Sequence, residues 1–148
     1  MFLSKAKFYD VLENTPLVSI DLVLENSEGQ VLLGKRKNRP AQGYWFVPGG
    51  RIFKSELLAD AFSRLTKEEL GQEISINNAA LQGAYDHFYK DSIFGDHPST
   101  HYVALAYRLK VETLCDLPDG QHLAYRWFSI EGLLDDKLVH QNTKAYFV

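Results

Sequence analysis

Apolar residues recur along the chain with two periods. Over residues 3–14, Leu3, Phe8, Val11 and Leu12 share a broad helical face, and Thr15-Pro16 breaks the run. Residues 17–24 are aliphatic and β-branched, interrupted by Asp21, and predict a strand. Asn26-Ser27-Glu28-Gly29 is a hairpin-type turn leading to a second strand over 30–35. Pro and Gly mark 38–43 as a loop, and Tyr44-Trp45-Phe46-Val47 is a short aromatic strand ending at Pro48-Gly49-Gly50. Residues 55–70 carry the best helical pattern, through Leu57, Leu58, Ala61, Phe62, Leu65 and Leu70. Ser55 stands where an N-cap would, and Gly71 supplies the stop. Strand patterns follow at 81–89, 101–111 and 124–128, with a Gly- and Pro-containing loop at 91–100, then short helices at 130–134 and 143–147. Hairpins mixed with one long helix predict an α+β fold rather than an alternating parallel sheet.

Composition narrows the function classes. A chain of 148 residues, 45% hydrophobic and 24% charged, is expected to form one domain spanning 1–148. A net charge of −3 argues against broad nucleic-acid binding but leaves room for a small anion held by a few arginines. The lone Cys115 rules out an internal disulfide and fits a reducing compartment. The N-terminal run has no long apolar core, so neither a signal peptide nor a membrane span is expected, and the expected setting is cytoplasmic.

Chemistry concentrates between Gly49 and Gly71. Two adjacent glycines allow a tight turn that brings a backbone carbonyl close to a ligand or metal. On the following helix Arg64 and Glu68 are four apart, with Glu69 one position further around. Helical pattern alone would make these a solvated ion-pair face. The spacing says more: Gly50, five residues, Glu56, seven residues, Arg64, then Glu68-Glu69, one residue, Gly71. This skeleton resembles the Nudix box, and the chain is identified as a member of the Nudix superfamily. The resemblance implies a mixed β-sheet sandwiched by helices, with the box as a loop–helix–loop.

The box departs from the full pattern at Leu65-Thr66, where the family has Glu and then an apolar residue. The usual box sets three carboxylates at i, i+3 and i+4 on one helix face to hold divalent metals. Leu65 removes one hard oxygen ligand. Either Leu65 packs into the core while a shorter metal cluster does standard chemistry, or the site holds one metal and does not perform the usual pyrophosphate cleavage.

Further segments resemble the GDP-mannose mannosyl hydrolase subfamily. They include Thr15-Pro16-Leu17-Val18-Ser19, Leu33-Gly34-Lys35-Arg36, the run from Asn38 to Arg51, and Arg64-Leu65-Thr66. His87-Phe88-Tyr89, Thr100-His101-Tyr102-Val103 and Gln121-His122 also match. The resemblance implies water attack at the anomeric carbon of GDP-mannose, and of GDP-glucose, releasing GDP and free hexose with inversion. Such a reaction needs a base opposite the leaving group. His122, in a predicted loop after Pro118-Asp119-Gly120, is the implied base. Gly49, Glu69 and Gln121 are the implied ligands of one Mg²⁺ per subunit, with Mn²⁺ as a substitute. Glu68 either joins through water or pairs with Arg64.

Arg36, Arg51 and Arg64 resemble the arginines that neutralise the departing diphosphate. Asp21 either orients a sugar hydroxyl or a neighbouring arginine, or faces solvent. His87 and Tyr102 resemble sugar-side residues; Tyr89 could equally be core. Phe2, Leu3 and Phe8 either contact the nucleotide, by resemblance across a homodimer interface, or simply pack the helix. No residue decides among GDP-mannose, GDP-glucose and GDP-fucose. The competing readings are a Nudix pyrophosphatase that cuts a nucleotide sugar between its phosphates and a catalytically silent binding domain.

Overall fold

The computed structural model describes residues 2–112 and 122–148, with only the backbone of His122 and Leu123. Gln121 and the segment Pro118-Asp119-Gly120 lie outside the described residues. In chain order the elements are α1 (Lys5–Asn14), β1 (Leu17–Glu25), β2 (Val31–Arg36), β3 (Trp45–Phe46), β4 (Gly49–Arg51), α2 (Leu58–Leu70), β5 (Ala80–Tyr89), β6 (Thr100–Lys110), β7 (His122–Phe128), α3 (Ile130–Asp135) and α4 (Gln141–Lys144). Short 3-10 turns cover Ile76–Asn78 and Ala145–Phe147.

The strands form one mixed sheet in the order β3-β2-β1-β6-β5, with β4 added to β1 and β7 to β2. β1 and β6 run parallel from Leu17 opposite Tyr102 to Glu25 opposite Lys110; the other pairings are antiparallel. Successive side chains on a strand point to opposite faces, so the sheet has two cores. Ile20, Leu22 and Leu24 of β1 pack with Phe62, Leu65 and Leu70 of α2 on one side. Val23, Val31 and Leu33 pack with Leu133, Val139 and Tyr146 on the other. This two-sided burial is the layered α+β arrangement expected from the pattern.

Three local expectations need correction. Ser55 is not the cap of α2: the helix starts at Leu58, its N-cap Leu57 makes no side-chain bond, and Ser55 has φ 67°. Glu56 accounts for the difference, because its Oε1 accepts the Phe53 N–H at 3.0 Å and keeps the loop turning past Ser55. Asp60 provides the negative charge that suits the helix N-terminus. Gly49–Arg51 is a strand rather than the end of one, created by pairing with Ser19–Asp21 of β1. His122 opens β7 instead of lying in a loop, and its backbone stands opposite Arg36. Gly71 terminates α2 in the left-handed conformation, φ 78°, as expected.

Candidate active site

Alternation along three neighbouring strands builds the floor of the site. Asp21 of β1 shares a face with Val23, not with Ile20 and Leu22. Register carries that face sideways: Leu17 is opposite Tyr102 on β6, and Tyr102 is opposite His87 on β5. Asp21, Tyr102, His87 and Tyr89 therefore line one cleft of ≈ 580 Å³.

Burial tunes these groups. It pushes the Asp21 carboxyl up to about 6, against the opposing pull of the Tyr146 hydroxyl and Arg36. His87 is 4% exposed, and the same loss of water brings its imidazole down to about 4, assisted by His140 and opposed by Asp86. Tyr89 and Tyr102 are held above the ordinary tyrosine range by burial. At neutral pH this floor presents an anionic Asp21, a neutral His87 and protonated phenols, a set suited to hydroxyl groups.

Two arginines bring positive charge to the same cleft. Arg36 donates from Nε to the Pro40 carbonyl at 3.0 Å, which aims its guanidinium while sparing both terminal nitrogens. Arg51 lies between the rings of Phe8 and Phe53, 4.8 and 5.3 Å from their centroids. Among the described residues no acceptor bonds the terminal nitrogens of Arg36 or the guanidinium of Arg51, so both can take anionic oxygens.

Arg64 is placed differently. It forks onto Glu56 at 2.8 and 3.0 Å, reaches the Arg51 carbonyl at 2.9 Å and Glu68 at 3.1 Å, and lies 3.9 Å over Phe53. Four of its five N–H donors are thus committed within the box. It lines the cleft, yet its evident work is to tie the loop to the helix.

The glutamate pair splits. Glu69 is buried, 4% exposed, and its Oε1 accepts the Gly49 N–H at 3.2 Å; it is not part of a solvated face. Glu68 is half exposed and pairs with Arg64. Leu65 is buried in the α2 core and also reaches the cleft. Its Cδ2 would lie 2.5 Å from a Cβ at Gly50, while a Cβ at Gly49 would strike the Ile20 carbonyl and Asp21. The two glycines therefore allow β4 to pack directly against β1 and Leu65, where a side chain would collide. Among the described residues no three His, Cys, Asp or Glu side chains gather as a cation site. The oxygen donors around Gly49 and Glu69 fit a hard cation that draws most of its shell from ligand phosphates and water, not an all-protein cage.

Phe2, 96% exposed, stands at the cleft mouth. Phe8 reaches the site through Arg51, and Leu3 is not among the lining residues. Arg39 pairs with Asp96 and Asp91 outside the cleft. Two contributors escaped the sequence reading. Phe53, inside the box loop, carries both Arg51 and Arg64 and was findable from that position. Tyr146 donates its hydroxyl to Asp21 from the far end of the chain, and no local pattern signals it.

A mixed sheet carrying a glycine-containing strand, a helix with a buried glutamate and a cleft with free guanidinium groups is suited to a ligand with anionic oxygens. Residues 15–147 match the NUDIX domain model, and the chain belongs to the Nudix hydrolases. It is 43% identical over 125 residues to the low-salt glycan biosynthesis protein Agl8 of Haloferax volcanii, covering 83% of this chain and 78% of Agl8. Against an ADP-ribose pyrophosphatase of Methanocaldococcus jannaschii it is 31% identical over 96 residues, covering 65% of this chain and 52% of the other. The MutT NUDIX hydrolase structure from Burkholderia pseudomallei superposes with a TM-score of 0.72 at 27% identity, covering 90% and 96% of the two chains. The fold is thus the Nudix fold, and the protein is an enzyme of a family that generally uses Mg²⁺ or Mn²⁺. Among the described residues no helix is long and apolar enough to cross a membrane.

Proposed function

We propose that this Nudix hydrolase cleaves GDP-mannose, and also GDP-glucose, at the sugar's anomeric carbon, releasing GDP and free hexose with inversion. The observation that carries the reading is the fate of the box carboxylates. Glu56 and Glu68 are both bonded to Arg64, and Leu65 stands where a further carboxylate would be. Attack at phosphorus relies on that carboxylate cluster; attack at carbon needs only a stabilised diphosphate and a base.

In this reading Arg36 and Arg51 bind the diphosphate and neutralise the charge that develops as GDP departs. Asp21, His87 and Tyr102 hold the hexose hydroxyls. Water forms the new bond to C1 as the C1–O bond breaks, with the electron pair leaving on the β-phosphate oxygen. His122 takes the water proton; its backbone position opposite Arg36 supports that assignment. Gly49, Glu69 and Gln121 would hold Mg²⁺, which adds charge neutralisation at the diphosphate when bound. Glycan biosynthesis in the name of the 43%-identical relative fits a nucleotide-sugar substrate. A cytoplasmic homodimer, with Phe2 meeting the nucleotide, completes the proposal.

Phosphorus NMR of the reaction with GDP-mannose and Mg²⁺ in ¹⁸O water tests it. GDP free of ¹⁸O, together with free mannose, is the expected result. GMP and mannose 1-phosphate with ¹⁸O on phosphorus would instead identify a pyrophosphatase, the reading favoured by the ADP-ribose pyrophosphatase likeness.

A further inference from the structure

Asp21 and His87 do not touch the cleft independently of the rest of the fold; both meet Tyr146. This tyrosine lies in the 3-10 turn Ala145–Phe147, 3% exposed, with its ring edge-on to Tyr85 at 4.7 Å. Its hydroxyl donates to Asp21 Oδ2 and lies 3.2 Å from His87 Nε2. A phenol has one proton to donate. With that proton on the Asp21 side, the phenol oxygen can only accept from His87, so Nε2 must carry a hydrogen. Nδ1 is then left with its lone pair, on a ring that lines the cleft.

We propose that Tyr146 is a positioning residue whose hydroxyl fixes the Asp21 carboxylate and locks His87 in the Nε2–H tautomer, leaving Nδ1 to accept a hydrogen bond from a ligand hydroxyl. The locked tautomer is a property of the free protein. That it serves a hexose hydroxyl rests on the hydrolase reading above. The consequence is directional: His87 accepts from the ligand, while Asp21, its other oxygen spared by Tyr146, accepts from a second hydroxyl. A neighbouring pair of acceptors favours a vicinal diol over a deoxygenated ring at those positions.

Long-range ¹H–¹⁵N correlation of the histidine rings in the ligand-free protein at neutral pH reads the tautomer directly. The wild type should give a single Nε2–H pattern for His87; an Nδ1–H pattern would overturn the proposal without any variant. Tyr146→Phe should convert His87 to a tautomer mixture and lower kcat/KM for GDP-mannose about ten- to a hundredfold, as loss of an orienting buried hydrogen bond does. A Phe variant that keeps the pure Nε2–H pattern would reduce Tyr146 to packing and sink the idea. Should the variant not fold, the wild-type spectrum alone decides. If the tautomer results hold while GDP-mannose is not hydrolysed, the positioning role stands and the substrate assignment falls.

Discussion

Replacing Asp21 by asparagine should make the protein more stable at neutral pH and less active. Burial lifts the Asp21 carboxyl from 3.8 to about 6, so the folded state holds its proton more tightly than the unfolded chain does. The stability linked to that proton is fully present below pH 3.8 and is lost as pH rises to about 6. At 1.36 kcal/mol per pKa unit, the ionised carboxylate costs the fold at most about 3 kcal/mol above pH 6. Asparagine retains an oxygen that can accept from Tyr146 and carries no charge to desolvate. Its advantage over wild type should be near zero at pH 4 and grow toward about 3 kcal/mol by pH 7, or roughly 6–12 °C in Tm for a domain of this size. His87 gives an opposite control. Its pKa falls from 6.5 to about 4, so its contribution is present above pH 6.5 and lost as pH falls through about 4. His87→Gln should therefore gain on wild type toward acid, with the reverse slope. Urea denaturation of the three proteins in EDTA at half-unit pH steps measures both differences. An Asp21→Asn curve parallel to wild type, or a variant less stable at pH 7.5, would refute the account of a strained carboxylate.

Three further outcomes follow from the box. Arg64→Lys keeps the charge but loses the fork onto Glu56 and the bond to the Arg51 carbonyl; denaturation should show a loss of about 2 kcal/mol, and an unchanged midpoint would deny Arg64 its tying role. Gly49→Ala meets the Ile20 carbonyl and should cost more than Gly50→Ala, which meets only the end of Leu65; thermal melts in which Gly50→Ala is the worse variant would contradict that contrast. Glu69→Gln can still accept the Gly49 N–H but removes a charge, so Mg²⁺ titration by calorimetry should weaken by about tenfold or more; an unchanged titration would remove Glu69 from the metal.

Much of this fold can be read along the chain because period-2 and period-3.6 patterns are local. β1, β2, β5, β6 and β7 fall within a few residues of their expected spans, and α2 ends at Gly71 as its glycine requires. What escaped the reading depends on partners distant in sequence. β4 has no pattern of its own and exists because Ser19–Asp21 pairs with it. The start of α2 shifts because Glu56 is drawn to Arg64 and the Phe53 N–H rather than leaving Ser55 to cap. Glu69 could have been recognised as buried, since it follows Leu65 by four residues on the core face of α2. Tyr146 could not: its partner Asp21 is 125 residues away, and a tyrosine in a terminal turn carries no local sign of catalytic geometry.

The box in this chain separates two jobs that a glutamate-rich helix could otherwise share. Arg64 neutralises Glu56 and Glu68 and, through the Arg51 carbonyl, sets the strand that presents Arg51 to the cleft. Two carboxylates thereby become structural. Leu65 adds apolar packing on the same helix and closes the space under Gly50. The acid left beside the glycines of β4 is Glu69, while Arg36, Arg51 and the desolvated Asp21 bring their charges to the cleft. Among the described residues the cleft therefore offers free guanidinium donors to an anionic ligand and no cluster of three carboxylates to gather several cations. The same sheet face supplies Asp21, His87 and Tyr102, and Tyr146 bonds the first two from within the fold. The architecture thus brings free guanidinium groups and buried polar side chains together in one cleft.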